Sequence, residues 1–227
     1  LDKIRVVAIG GGGFTHQSHP KLDLFCLDQV GPRPSVGYIG AASNDMSERI
    51  ERFYDRFAAD AAHLSHLAAT VEGAEVASWL SRLDLIYVGG GDTEAMLALW
   101  HRQGWIEPLR QAARSGVVMA GVSAGAVCWF ERFLFNPDPS TIRPLSGIGL
   151  IPGSACVHYS TEPLRKATYR DQVAAGMMPA GYAVDDGAAI ALGVYGPLAV
   201  CSAEPGAGVY RVAPDGAGSW AQEPVIA

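Results

Sequence analysis

The sequence predicts an α/β protein built on a mostly parallel sheet, and three observations carry that expectation. Short, wholly apolar runs alternate with amphipathic ones, the pattern of repeated strand–helix units. Two of the apolar runs stop abruptly at glycine clusters, Gly10 to Gly13 and Gly89 to Gly91. A third leads into Gly121-Val122-Ser123-Ala124-Gly125, a G-x-S-x-G pentapeptide set between a strand-like and a helix-like segment.

The elements follow in order. Residues 4–9 form a β-rich run ending at the first glycine cluster, and residues 35–41 are a second strand candidate. Over residues 47–64, Ile50, Phe53, Phe57, Ala61 and Leu64 recur three or four apart, with Glu51, Arg52, Asp55 and Arg56 between them. That spacing makes one apolar helical face backed by a solvated one. Residues 67–71 and 83–88 read as strands, the latter continuous and apolar. Asp92 can cap a helix over residues 93–101, because its carboxylate can accept from the orphan amides of the first turn. Residues 116–122 read as a buried strand and 124–130 as the helix behind it. Beyond Pro152 the texture changes. Residues 161–174 read as helical, and 181–212 as short strands separated by Gly and Pro, an antiparallel flank. With no internal repeat, low-complexity tract or linker, residues 1–227 are expected to form a single domain.

Bulk properties exclude several classes. Apolar residues make up 49% and charged residues 18%, as in a folded globular chain. A net charge of −6 and the absence of a Lys/Arg cluster argue against a nucleic-acid partner. The four cysteines lack CxxC spacing, so a thiolate zinc site is not expected, and Cys128 and Cys156 read as buried small hydrophobes. The first residues carry no apolar signal-peptide core, and no run reaches the roughly 18 apolar residues of a membrane span. The expectation is a cytoplasmic protein with reduced thiols and no membrane partner. Gly10 to Gly13 offers neither GxGxxG with a helix directly behind it nor a Walker lysine, so a nucleotide is not expected.

The chemistry is expected at Ser123. A nucleophile on a sharp strand-to-helix turn sits in a strained backbone conformation, and flanking glycines let neighbouring backbone approach without a Cβ clash. The turn lifts the hydroxyl clear of the sheet, near amides that can stabilise developing negative charge. A hydroxyl nucleophile needs a base. Of the six histidines, only His158 follows the elbow, at the end of the strand-like Cys156-Val157-His158. His16/His19 and His63/His66 have H-x-x-H spacing, but the second pair falls at the end of the expected helix without a nearby Glu, and no HExxH exists. No metal or other cofactor is expected. The acid that orients the imidazole has two locations open to it. Asp185-Asp186 lies in small, apolar surroundings where a charge needs a purpose or a partner. Asp138 lies between Ser123 and His158 but within Asn136-Pro137-Asp138-Pro139, which reads as an exposed loop. Asp186 is preferred, then Asp185, then Asp138.

Taken together these pieces resemble the peptidase E family of serine peptidases, which includes the cyanophycinases. The matching segments are Val88-Gly89-Gly90-Gly91-Asp92-Thr93; Val122-Ser123-Ala124-Gly125-Ala126; Pro152 to His158 with Tyr159 to Arg165; and Gly181-Tyr182-Ala183-Val184-Asp185-Asp186-Gly187. The resemblance implies a three-layer α/β/α fold like that of class I glutamine amidotransferases, a cytoplasmic location and a Ser-His-acid mechanism. It carries the nucleophile onto Ser123, the base onto His158 and, by its cyanophycinase branch, the acid onto Asp186. A different assignment in the family favours Asp138, where the local sequence Arg132 to Pro137 departs from the family's pattern. The oxyanion donors fall on the amides of Gly90, Gly91 and Ala124. By analogy, a homodimer would be unsurprising.

The expected activity is hydrolysis of short peptides from the N-terminal side through an acyl-enzyme. A substrate with an N-terminal aspartate would need a cation, for which Arg165 and Arg170 are candidates, with Lys166 more simply a solvated helix residue. A free amine would need an acid, for which Asp92 or Glu162 could serve. Three other readings compete. An α/β-hydrolase esterase normally keeps its histidine near the C-terminus, and none follows His158 here. A glutamine amidotransferase-like protein would place Cys at the elbow. A non-catalytic ligand-binding protein could retain the same fold.

Overall fold

The computed structural model describes residues 3–138 and 140–226. Among them, the strands form two sheets. The first has seven strands in the order β11-β10-β1-β5-β4-β2-β3, with β1 Val6–Ile9, β2 Ser35–Ile39, β3 His63–Leu67, β4 Leu85–Val88, β5 Val118–Val122, β10 Ala188–Gly193 and β11 Gly196–Ser202. Strands β1 to β5 are mutually parallel, and β10 and β11 add an antiparallel edge.

Alternation explains how this sheet is buried. Successive side chains of a strand face opposite sides. Val7 and Ile9 therefore enter one apolar cluster while Val6 and Ala8 enter another. Leu85 and Tyr87 divide from Ile86 and Val88 in the same way. On the first side lie helices α1 (Gly13–His16), α2 (Lys21–Leu27) and α3 (Ser47–Phe57), whose Phe14, Phe25, Phe53 and Phe57 fill that cluster. On the other side lie α4 (Gly73–Leu80), α5 (Thr93–Arg102), α6 (Ile106–Ser115) and α7 (Ala124–Val127), with Trp79, Trp100 and Trp105 among the buried residues. The expected three layers are present.

The second sheet, in the order β13-β12-β9-β8-β6-β7, extends this arrangement. It comprises β6 (Phe130–Asp138), β7 (Thr141–Ser146), β8 (Ile151–Cys156), β9 (Gly181–Val184), β12 (Val209–Pro214) and β13 (Trp220–Pro224). Helix α8 (Pro163–Ala174) covers it through Tyr169 and Val173. Strand residues Phe130, Phe133, Ile151 and Ala155 join the same cluster as Ile86 and Ile190, so one apolar core links the two sheets.

Several sequence expectations change. The helix expected over 47–64 stops at Phe57, and His63 and Leu64 begin β3, next to β2. The strand expected at 67–71 thus lies earlier, at His63–Leu67. The helix expected over 124–130 is a single turn, because Phe130 already pairs with Ile151 in the second sheet. Asp138 ends a strand rather than occupying a free loop, and Pro139 lies outside the described residues. The region 181–212 is divided: β10–β11 closes the first sheet, while β9 and β12 belong to the second.

Register brings the chain ends together. Strand β5 lies between β1 and β4, with Ile9 opposite Val122 and Val88 opposite Gly121. The segments after Ile9, Val88 and Val122 therefore leave the sheet at one place, outside the carboxyl ends of parallel strands, where open α/β sheets bind ligands. Strands β8 and β9 are also parallel neighbours, Cys156 opposite Ala183, so His158 and Asp185-Asp186 leave side by side. The chain then crosses from β9 into β10, whose Ala189 faces Ile9. Both sheets thus deliver their loops to the same point.

Candidate active site

Ser123 has φ 55° and ψ −114°, a conformation that L-residues seldom adopt and that costs on the order of 1–3 kcal/mol. The packing around it enforces this. A Cβ on Gly121 would lie 2.2 Å from the Gly125 carbonyl oxygen, and one on Gly125 would lie 2.0 Å from that of Val88. Only glycines allow α7 to seat so closely on β4 and β5, and that seating holds the bend.

The Ser123 hydroxyl lies 2.9 Å from His158 Nε2, and His158 Nδ1 lies 2.6 Å from Asp186 Oδ1. A neutral imidazole in this setting donates from Nδ1 to the carboxylate and accepts from the hydroxyl at Nε2. His158 is itself left-handed, φ 54°, and its carbonyl accepts from the amides of Thr161 and Glu162. That turn closes the end of β8 and swings the ring back over the sheet. The other oxygen of Asp186 accepts from Thr161 Oγ1 at 2.6 Å. Burial works to raise the Asp186 pKa, but the hydrogen bonds from His158 and Thr161 outweigh it and hold the carboxyl below its usual range. It therefore remains an anion beside the imidazole at neutral pH.

Asp185 turns the other way. It is buried, accepts from the Gly208 amide at 3.0 Å, and faces Tyr210. Burial pushes its pKa up against those bonds. Its contacts tie β9 to the segment before β12, not to the imidazole. Asp138 is exposed, bonded to the amide and hydroxyl of Ser140; that hydroxyl foremost lowers its pKa.

Gly90 and Gly91 lie against the elbow. A Cβ on Gly90 would sit 3.2 Å from Ser123 Cβ and 3.8 Å from its Oγ. The Gly90 carbonyl accepts from Arg49 Nη1 at 2.6 Å. A planar trans peptide directs its N–H opposite to its carbonyl, so Arg49 sets the direction of the Gly91 amide. Ala124 opens α7, and its amide has no acceptor within the helix.

The other expected binding residues are distributed around this centre. Asp92 caps α5 as expected, accepting from Ala95 N at 2.9 Å. Glu162 and Arg165 pair at 3.0 Å, and Arg165 also donates to Asn136 Oδ1 at 3.1 Å. With Asn136, Asp138, Thr161 and Leu164 they line a cavity of ≈ 590 Å³ that reaches Asp186 through Thr161. Arg170 is held elsewhere, donating to the Tyr159 hydroxyl at 2.6 Å and to Gln222, with its guanidinium 4.0 Å over the Trp220 ring. His63 and His66 sit three apart on a strand and so face opposite sides, which separates them as ligands to one ion.

Four residues around this centre are given no role there by motif or spacing. Thr161 and Arg49 carry no local signal. The His16 ring lies edge-on to that of His158, centroids 6.1 Å apart, although 142 positions separate them in the chain. Gly11 has a signal, the tetraglycine run. A Cβ there would lie 1.9 Å from Asp186 Oδ1 and 3.0 Å from His158 Nδ1. The run therefore backs the hydrogen-bonded Asp186–His158 pair.

A family model, Peptidase family S51, matches residues 6–193. An uncharacterized peptidase, YgaJ of Bacillus subtilis (strain 168), is 36% identical over 211 residues, covering 92% of this chain and 91% of that protein. A crystal structure of a peptidase from an acI-B1 Actinobacterium superposes with TM-score 0.73 at 16% identity, covering 98% of this chain and 94% of that one. A putative peptidase E from Listeria monocytogenes EGD-e gives TM-score 0.59 at 17% identity, covering 98% and 99%. These last two likenesses bear on the fold alone. With the family model and a near full-length relative in agreement, the chain belongs to peptidase family S51, the peptidase E family of serine peptidases, on a class I glutamine amidotransferase-like fold.

Proposed function

We propose that this peptidase removes residues from the N-terminal side of short peptides, through an acyl-enzyme on Ser123. The observation that carries the mechanism is the unbroken hydrogen-bonded chain from Ser123 through His158 to Asp186. As Ser123 Oγ attacks the scissile carbonyl, His158 Nε2 takes the hydroxyl proton, and Asp186 stabilises the imidazolium through Nδ1. The carbonyl oxygen becomes an oxyanion, received by the amides of Gly91 and Ala124, with Gly90 providing the clearance beside Ser123. The imidazolium then protonates the leaving amine as the C–N bond breaks. Water, deprotonated by the same imidazole, cleaves the ester and restores the hydroxyl.

The N-terminal preference is supported by the charges near the site. Asp138 and Glu162 line the cavity beside Thr161, and its one cation, among the described residues, is Arg165, already engaged by Glu162 and Asn136. A free α-ammonium complements that surplus of negative charge better than an acidic side chain does. Arg170, the other candidate for an aspartate pocket, is occupied by Tyr159, Gln222 and Trp220.

The test is a panel of dipeptides, tripeptides and longer peptides, N-terminally free or blocked, run with wild type and Ser123→Ala. Free peptides should be cleaved and blocked ones spared, and a fluorophosphonate should label only the wild type. Cleavage that survives loss of the hydroxyl would overturn the mechanism. Equal cleavage of blocked peptides would overturn the N-terminal preference.

A further inference from the structure

Asp23, on α2, has a fully buried side chain. A carboxylate without exposure is costly unless it is paired and hydrogen-bonded, and an apolar residue of similar size is often the more stable choice there. Its partners show where its charge acts. The Phe14 amide donates to both oxygens, at 3.0 and 3.3 Å, and Arg56 Nε donates to Oδ2 at 3.2 Å. The backbone of Gly13 lies directly on the carboxylate, where a Cβ would fall 2.6 Å from Oδ1.

The turn so anchored is the one that backs the triad. Gly11 pairs with Asp186 as a parallel bridge, and its carbonyl accepts from the Gly187 amide at 2.9 Å. Three residues further along, the chain is fixed by Asp23 through the Phe14 amide. We propose that Asp23 is a positioning residue for the reaction: its buried carboxylate, clamped by Arg56, holds the glycine turn of residues 10–13 against the Asp186–His158 pair. This inference rests on the Ser123–His158–Asp186 mechanism proposed above.

The ionised form makes the clamp, since protonation would remove the ion pair with Arg56. Burial pushes the Asp23 pKa up to about 6, with the Phe14 amide and Arg56 pulling it down. The groups facing it are Arg56 on α3, itself also paired with Asp60, Tyr87 on β4, and Cys26 on its own helix. Neither Tyr87 nor Cys26 supplies a positive charge.

The experiment follows kcat and KM from pH 4.5 to 8.5 for wild type, Asp23→Asn and Ser123→Ala, on an N-terminally free peptide that the wild type cleaves, with circular dichroism to monitor folding. Asparagine can still accept from Phe14 but cannot pair with Arg56. The expected result at pH 8 is a kcat at least tenfold lower with KM within twofold of wild type. On the acid side, the fall of log kcat/KM should be steeper for the wild type than for Asp23→Asn by about one, the proton taken up by Asp23. A folded Asp23→Asn with wild-type kcat would overturn the inference. If that variant does not fold, Arg56→Gln, which removes the ion pair from the other side, is measured in the same way: a kcat at least tenfold lower with KM within twofold supports the clamp, and a wild-type kcat refutes it. An active Ser123→Ala would instead overturn the underlying mechanism, so the two failures are distinguishable.

Discussion

Substituting Gly11 by alanine is the sharpest probe of how the site is held. The new methyl would lie 1.9 Å from Asp186 Oδ1, 2.7 Å from its Cγ and 3.0 Å from His158 Nδ1. Relief to ordinary contact distance requires a displacement of more than about 1 Å, and misplacement of that size can cost about 10²-fold in rate. The backbone of Gly11 imposes no positive φ, so the strain falls on the acid–base pair rather than on the turn. The carboxylate would have to leave either the 2.6 Å contact with His158 or the 2.6 Å bond from Thr161. An imidazole that loses its orienting acid can cost up to about 10⁴-fold in kcat. Gly11→Ala should therefore lower kcat/KM by about 10²–10⁴, or about 2.7–5.5 kcal/mol of transition-state stabilisation. The assay is steady-state cleavage of an N-terminally free peptide, with the rate of fluorophosphonate labelling as a substrate-independent measure of Ser123 reactivity. Gly31→Ala, where an added methyl meets nothing within 4 Å, is the control. The double variant Gly11→Ala/Asp186→Ala should be no slower than Asp186→Ala alone, because both act through one contact. Full additivity, or activity of Gly11→Ala within threefold of wild type, would refute this account of the turn.

Two further predictions separate neighbouring acids. Asp186→Ala should reduce kcat by about 10³–10⁴, whereas Asp185→Ala should lower thermal stability while changing kcat less than about tenfold, since its contacts are with Gly208 and Tyr210; the reverse ranking in kinetics and thermal melts would exclude Asp186 as the acid. Asp23 makes a prediction about stability against pH. Its folded pKa is raised, so the folded state binds the proton more tightly and stability falls as pH rises from about 4 to about 6, by about 2–3 kcal/mol in all. The melting temperature of Asp23→Asn relative to wild type should then climb by roughly 5 °C between pH 4 and pH 7, and a difference independent of pH would contradict the raised pKa.

Features written into neighbouring residues are legible in the sequence itself. The elbow is local: strand, two glycines, a small residue and a helix lie within a few positions, and the clash distances at Gly121 and Gly125 bear out why those residues are needed. The Asp92 cap is equally local. His158 follows by elimination, as the histidine after the elbow. By contrast, residues 130–146 give no clear strand signal, because short aromatic runs satisfy helix and strand periods alike until a partner fixes the pairing. Periodicity misplaces the end of α3 for the same reason: Ala61 and Leu64 continue the helical spacing by coincidence, while Leu64 packs from β3.

The order of the candidate groups along the chain, a hydroxyl, then an imidazole, then two adjacent carboxylates, is thus legible in the sequence alone, together with the parallel α/β architecture. What only the tertiary structure decides is which carboxylate meets the imidazole. Asp185 and Asp186 are adjacent, and successive residues of an extended chain point to opposite sides, so one faces the Gly208 loop and the other His158. That choice depends on β8 and β9 running parallel and on the glycine turn of residues 10–13 approaching from another sheet. Contacts between positions so far apart leave no periodic or compositional trace, and the backing of Asp186 by Gly11 and the burial of Asp23 beneath it emerge only once the chain is folded.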